Sequence, residues 1–450
     1  MAYPTVYRAR WVLPVTGPPI ADGAVAVDGD GRIAAVGPAA EQDGDIVDLG
    51  EAALLPGLVN VHAHPELAAF RGTMEDLPFR DWIGMLLRTK RAAALTPDDY
   101  AAAAAWSCVE AVRAGMTTVA ATEDSGAALD AFRDAGLRGV VYREVFGPAP
   151  EHAEAAMTEL RRKLDAMRQD ETDLVRVGVS PHAPYTVSDD LYRAVAVLVR
   201  SEGLPVATHA AESPEETAYV RGGHGPFAEA LRQRGIATPA RAPSTIRLLD
   251  GLGLLELRPL LIHAVQLDPE DVALIADRGC PVAHCPVANA RLGHGVAPVT
   301  ELLDRGVTVG LGTDSVASNN RLDLLEEART AQLQQRTRLR SSTALPARRL
   351  LRMATLEGAR ALGLADRIGS LEPGKDADLC SVRLDAPHAV PVHDPEAAVL
   401  HAARGTDVCL TVVRGRVLYR DGVHHTMDLD TLRGRLDGVA GKVATAAGEG

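Results

Sequence analysis

Six short apolar runs, each closing on a residue that can bind a metal or move a proton, constrain this chain more than any other feature. They read LVNVHAH (58–64), VRVGVSPHAP (175–184), PVATHAAE (205–212), PLLIHA (259–264), PVAHCP (281–286) and VTVGLGTDS (307–315). Val, Leu, Ile and Ala in unbroken runs ended by Pro or Gly predict strands buried on both faces, as in parallel sheets. Polar groups repeated at the carboxyl ends of such strands are the layout of a (β/α)8 barrel site. The expected fold class is therefore α/β, built on a TIM-like barrel.

His62 and His64 stand two apart on the first run, so alternation along a strand sends both side chains to one face, where they can share a cation. Pro56 and Gly57 supply the turn before that strand. His209 closes another run, and Glu212 follows three residues later, placed to carry protons beside a metal without ligating it. Asp314 ends LGLGTDS, where the competing reading is a cap for the next helix. Three imidazoles and one carboxylate leave a coordination position open for water, which is the composition of a catalytic site.

The net charge of −13 argues against a nucleic-acid surface, because phosphate binding needs a basic patch. Arg348, Arg349 and Arg352 fall at helical spacing and read as a solvated face. Cys108, Cys280, Cys285, Cys380 and Cys409 show no C-x-x-C and no disulfide spacing, which predicts a reducing, cytoplasmic setting; Cys285, near the candidate site, reads as a small core residue. No apolar stretch approaches a membrane span, and Arg8 and Arg10 interrupt any signal-like run.

Residues 1–56 alternate short β-like pieces with turns such as Asp28-Gly29-Asp30-Gly31, and 374–422 does the same. Between them, strand runs alternate with helical stretches at 98–114, 152–169, 188–202 and 323–340. Segment 213–246 is a long irregular connection of the kind that helps to enclose a substrate chamber.

These pieces together resemble the amidohydrolase superfamily, in the branch holding methylthioadenosine/S-adenosylhomocysteine deaminases, aminofutalosine deaminases and triazine chlorohydrolases. The motifs are PGLVNVHAH, RGTMEDLPFRDWI (71–83), SPHAPYTVS (180–188), HAAE, LIHA, AHCPVANARLGHGVAP (283–298), GTDS and GSLEPGKDADL (369–379), and they cover about 50 to 380. The resemblance implies a barrel over 57–365 and a composite β-sandwich from 1–56 and 366–450. It implies His62, His64, His209 and Asp314 as ligands of one divalent metal, zinc or else iron. The fourth strand ends Val179-Ser180-Pro181-His182, without the lysine that bridges two metals in other branches.

Catalytic roles fall by the same resemblance to Glu212, His263 and Asp314. It implies hydrolytic deamination of an amino-substituted N-heterocycle: Asp314 takes a proton from water, His263 steadies the adduct and Glu212 protonates a ring nitrogen. His182, Glu66, Trp82, Arg143, Asn289 and Ser315 are the expected substrate contacts. Methylthioadenosine-type deaminases carry an acid in the helix after the tryptophan segment, where this chain has Arg88, Lys90 and Arg91. Glu66, in HPEL, resembles the aminofutalosine deaminases instead, so one of these cations or Arg143 would meet a substrate carboxylate. A triazine-type chlorohydrolase or N-alkylaminohydrolase and a guanine-type deaminase stay open as alternatives. A catalytically silent subunit is disfavoured because every expected ligand is present. The partners expected are a small heterocyclic substrate and further copies of the chain, as a dimer or tetramer, with no nucleic acid or membrane.

Overall fold

Unbroken apolar runs become unbroken buried strands. The structure, a computed structural model, describes residues 3–448. Leu58–Ala63, Met116–Glu123, Arg138–Val145 and Val175–Pro181 form a four-stranded parallel sheet in that order, every residue of the first three strands being buried. Ala207–Ala210, Leu260–His263, Val282–His284 and Val309–Leu311 form a second, equally buried parallel sheet. The two sheets touch at both seams, through parallel bridges between Ala63 and Asp314 and between Val179 and Val206. All eight strands therefore run the same way and bring their carboxyl ends to one end of the molecule.

The six apolar runs each contain one of these strands. Met116–Glu123 and Arg138–Val145 were not among them, although TVAATED and GVVYRE follow the same rule of an apolar run closed by an acid.

Helices occupy the connections. Pro97–Arg113, Ala153–Arg168, Asp189–Glu202 and Leu324–Leu339 match the expected helical stretches. Thr96 shows why the first begins there: its hydroxyl accepts the N–H of Asp99 while the Asp99 carboxylate accepts the N–H of Thr96. Segment 213–246, expected to be irregular, holds two short helices, Pro214–Gly222 and Pro226–Gln233. Proline at the first turn of each reads as a break in the sequence but is tolerated at a helix start.

The two ends of the chain meet in one nine-stranded sheet. Thr5–Val12 lies between Ile20–Val27 and the successive strands Asp45–Asp48 and Ala52–Pro56; Ala52–Pro56 then pairs with Leu379–Arg383, which continues to Val408–Val413 and Arg416–Arg420. Gly31, in the Asp-Gly-Asp-Gly turn, has φ +76°, and a Cβ there would fall 2.1 Å from the Arg414 carbonyl oxygen, so only glycine fits. The last helix, Leu429–Gly448, leaves this sheet and packs on Pro97–Arg113, where Lys442 pairs with Asp99 at 2.7 Å. None of the helices described is long and apolar enough to cross a membrane.

A buried ion cluster ties the sheet to the amino ends of the parallel strands. Arg138, the first residue of its strand, binds Asp376 and Asp378 at 2.9 Å each, and Arg367 shares Asp376.

Candidate active site

At the carboxyl ends the chain must turn sharply, and it does so on the residues the sequence singles out. His263, Asp314 and Ala211 have φ of 74°, 57° and 53°. Non-glycine residues held there cost about 1–3 kcal/mol each and persist where the surroundings impose them.

The turns gather five groups. The rings of His62 and His64 lie 4.9 Å apart, His62 and His209 5.1 Å, and His62 and His263 5.6 Å. Asp314 Oδ1 is 3.3 Å from His62 Nε2 and 3.5 Å from His64 Nε2. One nitrogen from each of His62, His64 and His209 falls within a 4.8 Å span, and so does a donor set from His62, His263 and Asp314. His62 Nε2 is buried without a hydrogen-bond partner. Imidazole nitrogens with an adjoining carboxylate are a donor set suited to zinc or ferrous iron.

Each group is braced from behind. The Thr122 hydroxyl meets His62 Nδ1 at 3.3 Å, and the His182 carbonyl oxygen lies 3.2 Å from His209 Nδ1. Asn289 Oδ1 faces His263 Nδ1 at 3.0 Å. Asp314 accepts from the Ser315 N–H and the Ser318 hydroxyl, each at 2.7 Å. Ser315, and not Asp314, caps the short helix Val316–Asn319.

Burial disfavours the charged form of His64, His182 and His209. It lowers His64, with help from His62, to about 3, lowers His182 to about 4, and with His182 drives His209 well below its ordinary value. Burial alone would raise Asp314, but His62, 3.3 Å away, outweighs it and holds Asp314 well below the usual range. Glu212 is similar: burial is outweighed by His263 and His294, which hold it down to about 2. Neutral imidazoles beside ionised carboxylates are the protonation states that bind a cation.

A cavity of about 330 Å³ opens onto this cluster, within the range of small-molecule sites. His182, Glu66, Trp82 and Ser315 line it, as do Glu212, His263 and Asp314. Helix Phe79–Ala92 presents Phe79, Trp82, Ile83, Leu86 and Lys90 to it as one stripe. Two expected contacts lie elsewhere. Asn289 is buried behind His263 instead of lining the cavity, and Arg143 is buried behind the wall, because its strand neighbour Glu144 faces the cavity and successive residues alternate. Arg88 and Arg91 are exposed and off the lining, whereas Lys90 lines it and pairs with Asp124 at 3.4 Å.

Sequence reasoning missed Asp124, Glu144, Arg234 and His294. The first three line the cavity, and His294 Nε2 sits 3.2 Å from Glu212 Oε1. Burial, then the Asp124 charge, pushes Glu144 up to about 8, and burial with Glu123 raises Glu66 well above its ordinary value. Each keeps one buried carboxyl oxygen without a partner.

Comparison with known proteins agrees with this geometry. The chain is 35% identical to a 5-methylthioadenosine/S-adenosylhomocysteine deaminase of Moorella thermoacetica over 94% of this chain and 95% of that one. It is 36% identical to a 5'-deoxyadenosine deaminase of Methanothermobacter thermautotrophicus over 91% and 93%. Among solved structures, a zinc-bound adenosine deaminase from Xanthomonas campestris superposes with a TM-score of 0.87 at 30% identity, covering 98% of both chains. A zinc complex of atrazine chlorohydrolase from Arthrobacter aurescens gives 0.83 at 26% identity, covering 97% of this chain and all of the other. Residues 53–418 match the Amidohydrolase family, and the chain belongs to it.

Proposed function

We propose that this protein is a metal-dependent hydrolase of C–N bonds that deaminates an amino-substituted N-heterocycle, most specifically an adenosine derivative of the methylthioadenosine, S-adenosylhomocysteine or aminofutalosine kind. The observation that carries this reading is the Glu212 carboxyl, which lines the cavity beside the histidine cluster, 3.5 Å from His263 Nε2. An amine leaves only when a proton is delivered to it and to the ring, and a buried carboxyl at that place supplies both. A halide needs no proton to leave, which ranks the triazine chlorohydrolase reading second. Similarity to deaminases along more than nine-tenths of the chain supports the same choice.

His62, His64, His209 and Asp314 would hold one divalent ion, zinc by preference. When bound, it supplies the Lewis acidity that makes water nucleophilic near pH 7. Asp314, fixed by Ser315 and Ser318, accepts the proton of the attacking water. Glu212, held ionised at rest by His263 and His294, takes up a proton from solvent and passes it to the ring nitrogen next to the amine-bearing carbon, which makes that carbon electrophilic. His263, fixed by Asn289, holds the incoming oxygen. The hydroxyl proton of the adduct returns to Glu212, which delivers it to the departing amine, the proton on Asp314 is released to solvent, and the products are ammonia and the carbonyl heterocycle. Phe79 and Trp82, stacked at 6.3 Å with rings inclined by 21°, offer an aromatic wall for the base.

The architecture proposed with this reading is a single (β/α)8 barrel over 57–365, supported by the two seam bridges, and a composite β-sandwich from 1–56 and 366–450, whose final helix lies back against the barrel. Ammonia release measured over adenosine, 5′-methylthioadenosine, S-adenosylhomocysteine, aminofutalosine, guanine and chlorotriazines tests the function. Turnover should be highest on an adenosine derivative. Chloride release from a triazine without ammonia release from any nucleoside would transfer the protein to the second reading.

A further inference from the structure

Glu212 lies beyond the end of its strand, Ala207–Ala210, in a turn with no regular hydrogen bonding of its own, so other residues must fix it. Glu216 does so from the backbone side. It is fully buried, its Oε1 accepts the Ala211 N–H at 2.8 Å, its Oε2 accepts the Glu212 N–H at 3.1 Å, and the Thr245 hydroxyl donates to Oε1. The Ala211 carbonyl in turn accepts the N–H groups of Val265 and Gln266 at 2.8 and 2.7 Å. The left-handed Ala211 turn is thereby held on both of its polar groups.

The other end of Glu212 is held by side chains. Its Oε1 lies 3.2 Å from His294 Nε2 and 3.5 Å from His263 Nε2. Asn289 joins the two histidines, its Oδ1 facing His263 Nδ1 at 3.0 Å and its carbonyl oxygen accepting the His294 N–H at 2.9 Å. Gln266 donates its side-chain amide to the His294 carbonyl oxygen, and the Phe79 ring stands edge-on to His294 at 4.4 Å. Glu212, His263, Asn289 and His294 make a closed ring of contacts, and Gln266 links that ring to the turn held by Glu216.

We infer that Glu216 and His294 are positioning residues for Glu212: Glu216 fixes the backbone of the turn, and His294 fixes the carboxyl end, so that proton transfer begins from one orientation. The inference rests on the reading of Glu212 as the proton carrier. Misplacement of a catalytic group by about 1 Å can cost roughly 10²-fold, so a carboxyl on a loop needs such bracing. Neither residue lines the cavity, and neither would touch substrate.

A double-substitution cycle on the zinc-loaded full chain, read as ammonia release from 5′-methylthioadenosine, tests it. Glu216→Gln keeps the size of the side chain but turns an amide NH₂ toward a backbone N–H. The result expected is a fall in kcat of roughly 10- to 100-fold, the usual span for a residue that orients a reacting one, with KM and zinc content near wild type. His294→Gln should give the same pattern from the opposite side, and it decides alone if Glu216→Gln does not fold. In a Glu212→Gln background either substitution should remove less than about 2-fold more, because the group being positioned is gone. A full additional loss in that background, a change in KM alone, or unchanged kcat in the single variants would overturn the inference. A Glu212→Gln enzyme as active as wild type would overturn the reading beneath it as well.

Discussion

Two clusters of buried charge stand at opposite ends of the same strands, and they differ in how completely their polar atoms are paired. At the amino end, Arg138 makes three hydrogen bonds to Asp376 and Asp378, Asp376 also accepts from Arg367, and Asp378 accepts the Arg414 N–H; only Arg138 Nη1 lacks a partner. At the carboxyl end, His62 Nε2, Glu66 Oε2 and Glu144 Oε1 have none. Buried polar groups are nearly always satisfied, so a saturated cluster reads as architecture and an unsaturated one, facing a cavity, reads as a place kept for a ligand. Burial alone does not separate the two ends. Pairing does.

Substitutions at the two ends should therefore fail in different ways. Glu212→Gln should lower turnover by roughly 10²- to 10⁴-fold, the span of a general acid–base residue, with the melting temperature and metal content unchanged; lost metal would make Glu212 a ligand. Arg138→Met should do the reverse. Breaking a buried pair costs about 3–5 kcal/mol because it leaves charge without a partner, so the denaturation midpoint should fall steeply while kcat of the folded fraction holds. Equal damage to kcat would mean that the amino-end cluster is coupled to the site.

A third substitution probes the boundary between them. Thr122→Val removes the hydroxyl that meets His62 Nδ1 and should weaken metal affinity by about 10- to 100-fold, measured by competition with a chelator. Unchanged affinity would show that the His62 ring is oriented by packing alone. The smallest effects belong to Arg88→Ala and Arg91→Ala. Both side chains are exposed and off the cavity, so stability should shift by no more than about 0.5 kcal/mol and KM for an anionic adenosine derivative should hold. A raised KM would return the carboxylate contact to these arginines.

The carboxyl-end cluster was largely legible in the sequence because strands alternate faces and end in turns, so a histidine closing an apolar run has one place to point. His62, His64, His209, His263 and Asp314 follow that rule, and they converge. Glu144 and Asp124 follow it too but close runs diluted by Thr, Arg and Tyr. Arg143 shows the limit of reading strand ends: one residue of register separates the cavity from the wall behind it. His294 was beyond reach, because it lies on a loop and meets Glu212 across more than eighty residues of chain. The nine-stranded sheet was foreshadowed by its turn glycines, but the pairing of Ala52–Pro56 with Leu379–Arg383 is a long-range choice that local pattern does not encode.

Metal analysis coupled to turnover tests the central claim most directly. Purified protein should carry about one equivalent of zinc or iron per chain, lose ammonia release from 5′-methylthioadenosine when a chelator removes the metal, and regain it when one equivalent of zinc is returned. Two equivalents per chain, or ammonia release that persists in metal-free protein, would contradict it.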